Sequence, residues 1–449
     1  MNMIENICKK AIEIGEREGA HQVEAFVING RILNLYVEGS KVNIITENKW
    51  IGIGIKLAIG KRVGFVSGIY ADEKSLHEII KEGIKITRVS PEDPKFESLP
   101  EPKQISGVIE DVYDEHAANI GSSELYSFAK EIIENAEKNE VKVMRGLIRI
   151  NIFEFSVMNS LGVDFSHKGT NIFVHFTAKR EFGEGIVKKY ATMLNELNWS
   201  KIGEELHEKT LIASQAKAFK GSEKLEVIIE PMELAGMLSD LLMAANGENI
   251  NRKRSPWIGK IGEQVAAGCL TIIDDGRLRG GLRSALADDE GVPTTRKAII
   301  EKGVLKSYYF DYYNARIAKV NPTGNGYRRG VRTIEDAHNR MALSSLSNVE
   351  VIAGNKNYDE LISEIDKGVI IKKFAYPTVD FLTGNFALEV RSAVLVENGE
   401  EKQPIKHALL VGNMYDCLKN ITGIAKEREK IGIVLLPAIR FREMQLVGL

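Results

Sequence analysis

The side chains that perform metal or hydrolytic chemistry are scattered along this chain. The eight histidines are His21, His77, His116, His167, His175, His207, His338 and His407. None form His-x-x-x-His or His-Glu-x-x-His, the spacings that bring two imidazoles to one face of a helix. His167 and His175 are the closest pair, and a turn is expected between them. Three isolated cysteines, Cys8, Cys269 and Cys417, read as reduced thiols rather than a disulfide framework. Cys269 and Cys417 have apolar neighbours and no nearby histidine to activate them, and no Gly-x-Ser-x-Gly elbow is present. Asp274-Asp275 and Asp288-Asp289-Glu290 lack the ligand spacing of a Ca²⁺ or Mg²⁺ loop, and read as a turn and a solvated loop. The run Gly324-Asn325-Gly326-Tyr327-Arg328-Arg329-Gly330 fits neither the Walker nor the dinucleotide pattern. Its guanidiniums, Arg328 and Arg329, suit a peptide carboxylate, and an ordinary solvated turn is the alternative. The basic run Asn251-Arg252-Lys253-Arg254 reads as a solvated or partner-facing loop.

The most patterned stretch is 374–413. It reads as strand, turn, strand, turn, strand. Thr383-Gly384-Asn385 is a tight turn, because Gly and Asn tolerate positive φ. Glu397-Asn398-Gly399-Glu400 is a hairpin signal. Antiparallel strands whose turns gather on one side build the floor of a groove, or simply a β-meander.

These pieces also resemble a known family. Thr383-Gly384-Asn385-Phe386, Glu397–Glu400, Pro404-Ile405 and Gly412-Asn413-Met414-Tyr415-Asp416 are similar to the C-terminal signature of the TldD/PmbA family. Lys260–Val265, Thr271–Gly276, Asp288–Thr294 and Ile300–Leu305 resemble its middle region, and Asn159-Ser160-Leu161-Gly162 resembles one of its turns. The likeness covers roughly residues 220–449 and is looser before that. The family was long called modulator of DNA gyrase and is now viewed as a two-subunit metallopeptidase system. Its metal-binding branch carries His-Glu-x-x-x-His on the helix after a Pro-containing strand, completed by a cysteine near the C-terminus. Three such ligands and an open water position suit a catalytic zinc. Here the corresponding segments read Met237–Ala245 and Gly432–Phe441, with neither histidine nor cysteine.

The resemblance therefore implies a PmbA/TldE-like chain with no catalytic residues or metal of its own, and zinc expected in a TldD-like partner. The pair would degrade extended or unfolded peptides, held by strand addition. The substrate-binding residues expected in this chain are Thr383, Gly384, Asn385, Phe386, Arg328 and Arg329. Two alternatives are a metal-free homodimeric peptide-binding or chaperone-like module, and an independent hydrolase with an unrecognised site.

Composition bounds these readings. The 449 residues are 44% hydrophobic, enough for a sizeable core, and 60 basic against 62 acidic residues argue against a dedicated nucleic-acid binder. No apolar run is long enough to span a bilayer, and the N-terminus lacks the features of a signal peptide. A cytoplasmic location is expected.

The positioning elements follow from periodicity. A helix is predicted over 3–19, then five short strands within 23–66 with Asn29-Gly30 as a hairpin turn. Glycine alternation in 51–55 leaves a sheet face to be covered closely by a helix. Helices over 72–86 and 122–138 flank a Pro-rich linker or wrapped segment at 90–107. Strands are predicted over 141–157 and 171–179, mixed helix over 187–219, a strand over 225–229 and a helix over 233–245 capped by Asn246-Gly247. Strands dominate after Val265. The hairpin-length connections predict an α+β fold with antiparallel sheets. Residues 1–220 would form an N-terminal α+β domain and residues 221–449 a β-rich C-terminal domain.

Overall fold

The computed structural model describes residues 2–448. Helix α1 (Met3–Arg17) leads into three long strands, β1 (Gln22–Glu38), β2 (Lys41–Ile59) and β3 (Arg62–Ile69). Next come α2 (Glu73–Val89), α3 (Glu115–Asn119), α4 (Ser122–Ala136), β4 (Lys142–Asn159), β5 (Asp164–Arg180), β6 (Gly183–Ala191) and α5 (Trp199–Gln215). The first sheet is antiparallel, in the order β3-β2-β1-β4-β5-β6. Odd positions of β1 face helices: Val23, Ala25 and Val27 pack with α1 and α2, and Leu33, Leu35 and Val37 with α4 and α5. Even positions Phe26, Ile28 and Ile32 face the other way. They join Phe153, Phe155 and Phe165 in a cluster completed by Ala285, Ala287, Ile334 and Ala337 from the second half of the chain.

The second sheet is mixed. It contains β7 (Lys217–Ala218), β8 (Ser222–Ile229), β9 (Ile272–Asp275), β10 (Arg296–Glu301), β11 (Val304–Leu305), β14 (Val349–Val351), β15 (Lys367–Phe374), β16 (Asn385–Glu397), β17 (Glu400–Lys406), β18 (Ala408–Asn413), β19 (Ile421–Ile431) and β20 (Val434–Gly448). A separate ribbon pairs β12 (Gly326–Tyr327) with β13 (Leu343–Ser344). The helices here are α6 (Pro231–Leu241), α7 (Gly247–Asn251), α8 (Tyr312–Ala318), α9 (Tyr358–Ser363) and α10 (Met414–Lys419). The α+β class is as expected, although β8 and β15 run parallel. Asn398 and Gly399 both take positive φ, +52° and +76°, so the predicted hairpin turn forms between β16 and β17.

Several expectations change in three dimensions. Asn29-Gly30 is not a turn. β1 continues through it, paired with β2 at Gly30↔Trp50 and with β4 at Gly30↔Phe153, because the Trp50 ring lies over the bare glycine. β2 likewise runs unbroken from Lys41 to Ile59, so the five predicted strands are three. The glycines of β2 are covered by the 3-10 turn Ala337–Asn339 rather than by a long helix: a Cβ at Gly54 would stand 2.6 Å from the His338 carbonyl. The segment 187–219 begins as strand, and the helix predicted to Ala245 ends as a 3-10 turn over Leu242–Ala245. Asn246 then caps α7, its side chain accepting from Glu248 N–H at 2.9 Å. The Pro-rich segment wraps the first sheet, with Phe96 and Leu99 buried and the Pro100 carbonyl accepting from Asn159 at 2.7 Å. Cys269 is exposed, whereas Cys8 and Cys417 are buried, which pushes each of those thiols up to about 12.

The acidic clusters are not solvated. Asp274, Asp288 and Asp289 are fully buried and Glu290 nearly so. Asp288 accepts from the backbone N–H groups of Glu290, Val292 and Gly326 at 2.8–3.0 Å. Asp289 accepts from the N–H groups of Arg328 and Arg329, at 2.7 and 3.0 Å. Asp274 accepts from Ser347, Asn325 and Lys297 at 2.7–2.8 Å. These carboxylates tie loops together by satisfying buried backbone donors. Arg329 donates to Asp289 at 2.7 Å and lies 4.3 Å over the Phe155 ring, while Arg328 pairs with Glu24 of β1 and lies 5.0 Å over Phe26.

Breaking a buried pair leaves one charge without compensation. Arg329→Met is expected to lower unfolding free energy by about 3–5 kcal/mol in urea titration, with Asp289→Asn in the same chain restoring part of the loss. His167, beside Phe155 and Arg329, is held down at about 3 by burial and by that guanidinium. An unfolded histidine titrates near 6.5, so the unfolded chain takes up the proton first and stability falls as pH drops below that value toward 3. Comparing urea midpoints at pH 7 and pH 5, His167→Phe is expected to lose less stability than the native chain.

Candidate functional site

Helix α6 begins with Pro231 at its first turn, where a missing N–H costs nothing. Its apolar side buries Leu234, Met237, Leu238 and Leu241 in the core of the second sheet. Three further positions grip the segment that follows β15. Glu233 accepts from the Phe374 N–H at 2.8 Å. Gly236 admits the Pro377 carbonyl, which would lie 2.8 Å from a Cβ there. Asp240 accepts from the Val379 N–H at 3.0 Å. Burial raises the pKa of both Glu233 and Asp240.

The resemblance set this helix against the one expected to carry two imidazoles in a metal-binding chain. Here Ser239 turns back to the Ala235 carbonyl at 2.8 Å, and the two carboxylates are occupied by backbone N–H groups. Among the described residues, no three His, Cys, Asp or Glu side chains converge as a metal-ligand group. The donor set of α6 does not fit a catalytic zinc.

The gripped segment ends at the turn expected from the sequence. Asp380 accepts from Leu382 N–H at 3.0 Å and from Thr383 Oγ1 at 2.7 Å, and these bonds lower its pKa. Gly384 takes φ +79°, and any Cβ there would overlap the Tyr415 ring, so glycine is required twice over. Asn413 donates to the Thr383 carbonyl at 2.8 Å and to Asn385 Oδ1 at 2.9 Å. Its own side-chain oxygen caps α10 through Tyr415 N–H at 3.0 Å. Tyr415 closes the loop by donating to the Phe381 carbonyl. Thr383 and Asn385 reach solvent, while Gly384 and Phe386 are buried. The Phe386 ring packs on Gly412, whose Cβ would lie 2.7 Å from it, and belongs to the core.

Arg328 and Arg329 are not part of this turn. They sit between the two sheets, 2% and 3% exposed, engaged by Glu24 and Asp289 and by aromatic faces. The clamp on α6 was not expected from the sequence; its signal was two carboxylates with an intervening glycine on a largely apolar helix. Tyr376 and Leu382 stand exposed on the same gripped segment, 80% and 50% accessible.

Known proteins resemble this chain in sequence and in fold. The family model described as PmbA/TldA metallopeptidase C-terminal domain matches residues 222–448, and that described as PmbA/TldA metallopeptidase domain 1 matches residues 23–87. A protein of Haemophilus influenzae named Metalloprotease TldD homolog is 34% identical over 200 residues, 43% of this chain and 40% of that protein, so the match spans less than half of the relative. A Buchnera aphidicola protein named Metalloprotease PmbA homolog is 24% identical across 99% of this chain and 96% of its own length. The crystal structure of TldE from Thermococcus kodakarensis superposes with a TM-score of 0.89 at 25% identity, covering 98% of this chain and all of that one. With the C-terminal match alone spanning half of the sequence, the chain belongs to the PmbA/TldD family.

Proposed function

We propose that this chain is the PmbA/TldE-like subunit of a two-subunit metallopeptidase. It supplies scaffold and part of the groove for extended peptides, while a TldD-like partner carries the zinc and the hydrolytic step. The observation that carries this reading is α6: its carboxylates hold the backbone of residues 374–379, where a metal-binding chain needs ligands. Family membership and the likeness to a structure described as TldE support it. Thr383 and Asn385 are the exposed polar groups of the turn, suited to hydrogen bonding with an extended backbone. Gly384 and Phe386 fix the turn's shape, and Arg328 and Arg329 anchor the second sheet on the first. The pair is expected to work in the cytoplasm.

The decisive measurement is zinc per chain after dialysis, followed by mixing with a TldD-like chain encoded in the same genome. Near-zero zinc alone, and peptide hydrolysis that appears on mixing and disappears on chelation, are expected. About one zinc per isolated chain, or chelator-sensitive hydrolysis without the partner, overturns the proposal. Asn385→Ala loses the contact with Asn413 at an exposed site and is expected to cost the fold under about 1 kcal/mol. In the reconstituted pair it should raise KM at least threefold with kcat unchanged. An unaltered KM removes the turn from the groove.

A further inference from the structure

The first sheet leaves part of one face open. Helices cover the side that carries Val174 and Phe176, whereas Phe173, His175 and Thr177 point to the other side. There the strand registers line up one row across five strands: Ile44 on β2, Tyr36 on β1, Leu147 on β4, His175 on β5 and Lys188 on β6. Neighbouring strands lie about 4.8 Å apart, so the row is about 19 Å long. Ile44 is 51% exposed and Tyr36 38%. With Leu147 and His175 they line a groove of about 860 Å³.

The charged end of the row is unusual. Lys373 of β15 and Arg332 act electrostatically on both His175 and Lys188. Arg332 lies 5.2 Å over the Phe173 ring, and its charge acts on the Tyr190 hydroxyl, which is cross-strand to Phe173. Among the described residues, Lys188, Lys373 and Arg332 form no salt bridge, although Lys189 and Lys372, their sequence neighbours, each reach two carboxylates. The nearby Glu233 carboxylate is buried and already accepts from Phe374 N–H. The ring nitrogen Nε2 of His175 is enclosed without a partner. Burial and the charges of Lys188, Lys373 and Arg332 hold His175 down at about 4, so the imidazole is neutral at ordinary pH. Three cations brought together with one committed carboxylate leave positive charge uncompensated, a condition that an incoming anion relieves.

We propose that this row seats the C-terminal end of an extended peptide: Ile44, Tyr36 and Leu147 hold its last apolar side chains, and Lys188, Lys373 and Arg332 take its terminal carboxylate. The length of the row suits about five or six extended residues at roughly 3.3 Å each. Lys373 is paired with Ser392 on the β15–β16 ribbon, whose far end is the Thr383–Asn385 turn. The carboxylate seat and the turn thus belong to one ribbon. The assignment names a substrate class, peptides with a free C-terminus, and rests on the peptide-groove reading above.

The test uses the full chain and two fluorescent hexapeptides of one apolar sequence, one ending in a free carboxylate and the other in an amide, followed by anisotropy. The free acid is expected to bind at least tenfold more tightly. Lys188→Gln should bring that ratio close to one by weakening the acid alone, Lys188→Arg should retain it, and Ile44→Ser should weaken both peptides alike. Equal binding of acid and amide to the native chain overturns the seat, as does a ratio that survives Lys188→Gln combined with Lys373→Gln. A peptide bearing a phosphoserine in place of its free carboxylate that binds more tightly than the acid also overturns it. The subunit reading fails separately, when the reconstituted pair lacks zinc-dependent hydrolysis while the preference for acid over amide persists.

Discussion

Two adjacent guanidiniums are buried between two sheets, and the rest of the molecule is arranged so that they are. A buried cation is tolerated only when paired and hydrogen-bonded. Glu24 on β1 meets Arg328, and Asp289, itself buried, meets both Arg329 and the backbone that presents it. Aromatic faces from β1 and β4 complete the enclosure. This arrangement sets the position of the second half of the chain on the first sheet. It explains why Gly52 and Gly54 lack side chains: the 3-10 turn that follows the arginine loop must lie flat on β2. Hydrophobic burial alone is non-directional and does not select one such placement. The charge pairs do, because any slip strands a charge.

The same logic of committed polar groups runs through α6. The resemblance read from the sequence sets this helix against the one that carries histidines in the metal-binding branch. In this chain the helix is a clamp, its carboxylates satisfying backbone donors of the segment that leads to the Thr383–Asn385 turn. Two histidines placed on this helix in exchange for its carboxylates would not by themselves make a metal site. The freed N–H groups of Phe374 and Val379 would need new acceptors, and the segment between them would lose its path.

How much of this was legible in the residues varies with the range of the interactions. Local signals worked where local geometry decides: Asn398-Gly399 makes its hairpin turn, Gly384 its positive-φ turn, and α1 follows its apolar spacing. Asn29-Gly30 misled because a glycine roofed by an indole from the next strand has the same sequence signature as a hairpin turn. The acidic clusters looked like a turn and a solvated loop, and Arg328-Arg329 like a carboxylate-binding or solvated turn, since nothing nearby in sequence shows that Glu24 and Phe155 will enclose the two arginines. The row from Ile44 to Lys188 was invisible for the same reason. Its members come from five strands, and only the registers bring them together.

The bond between Glu24 and Arg328 spans 304 positions of sequence. During synthesis at about 5–20 residues per second, the partner of Glu24 follows it by about 15–60 s. Through that interval Phe26, Ile28 and Phe155, laid out on a sheet that can close as soon as β6 exists, face solvent without their lid. A nascent chain in this condition carries an aromatic surface and an unpaired buried-type carboxylate at once. Shielding of that surface during translation is thus a requirement separate from the stability of the finished fold.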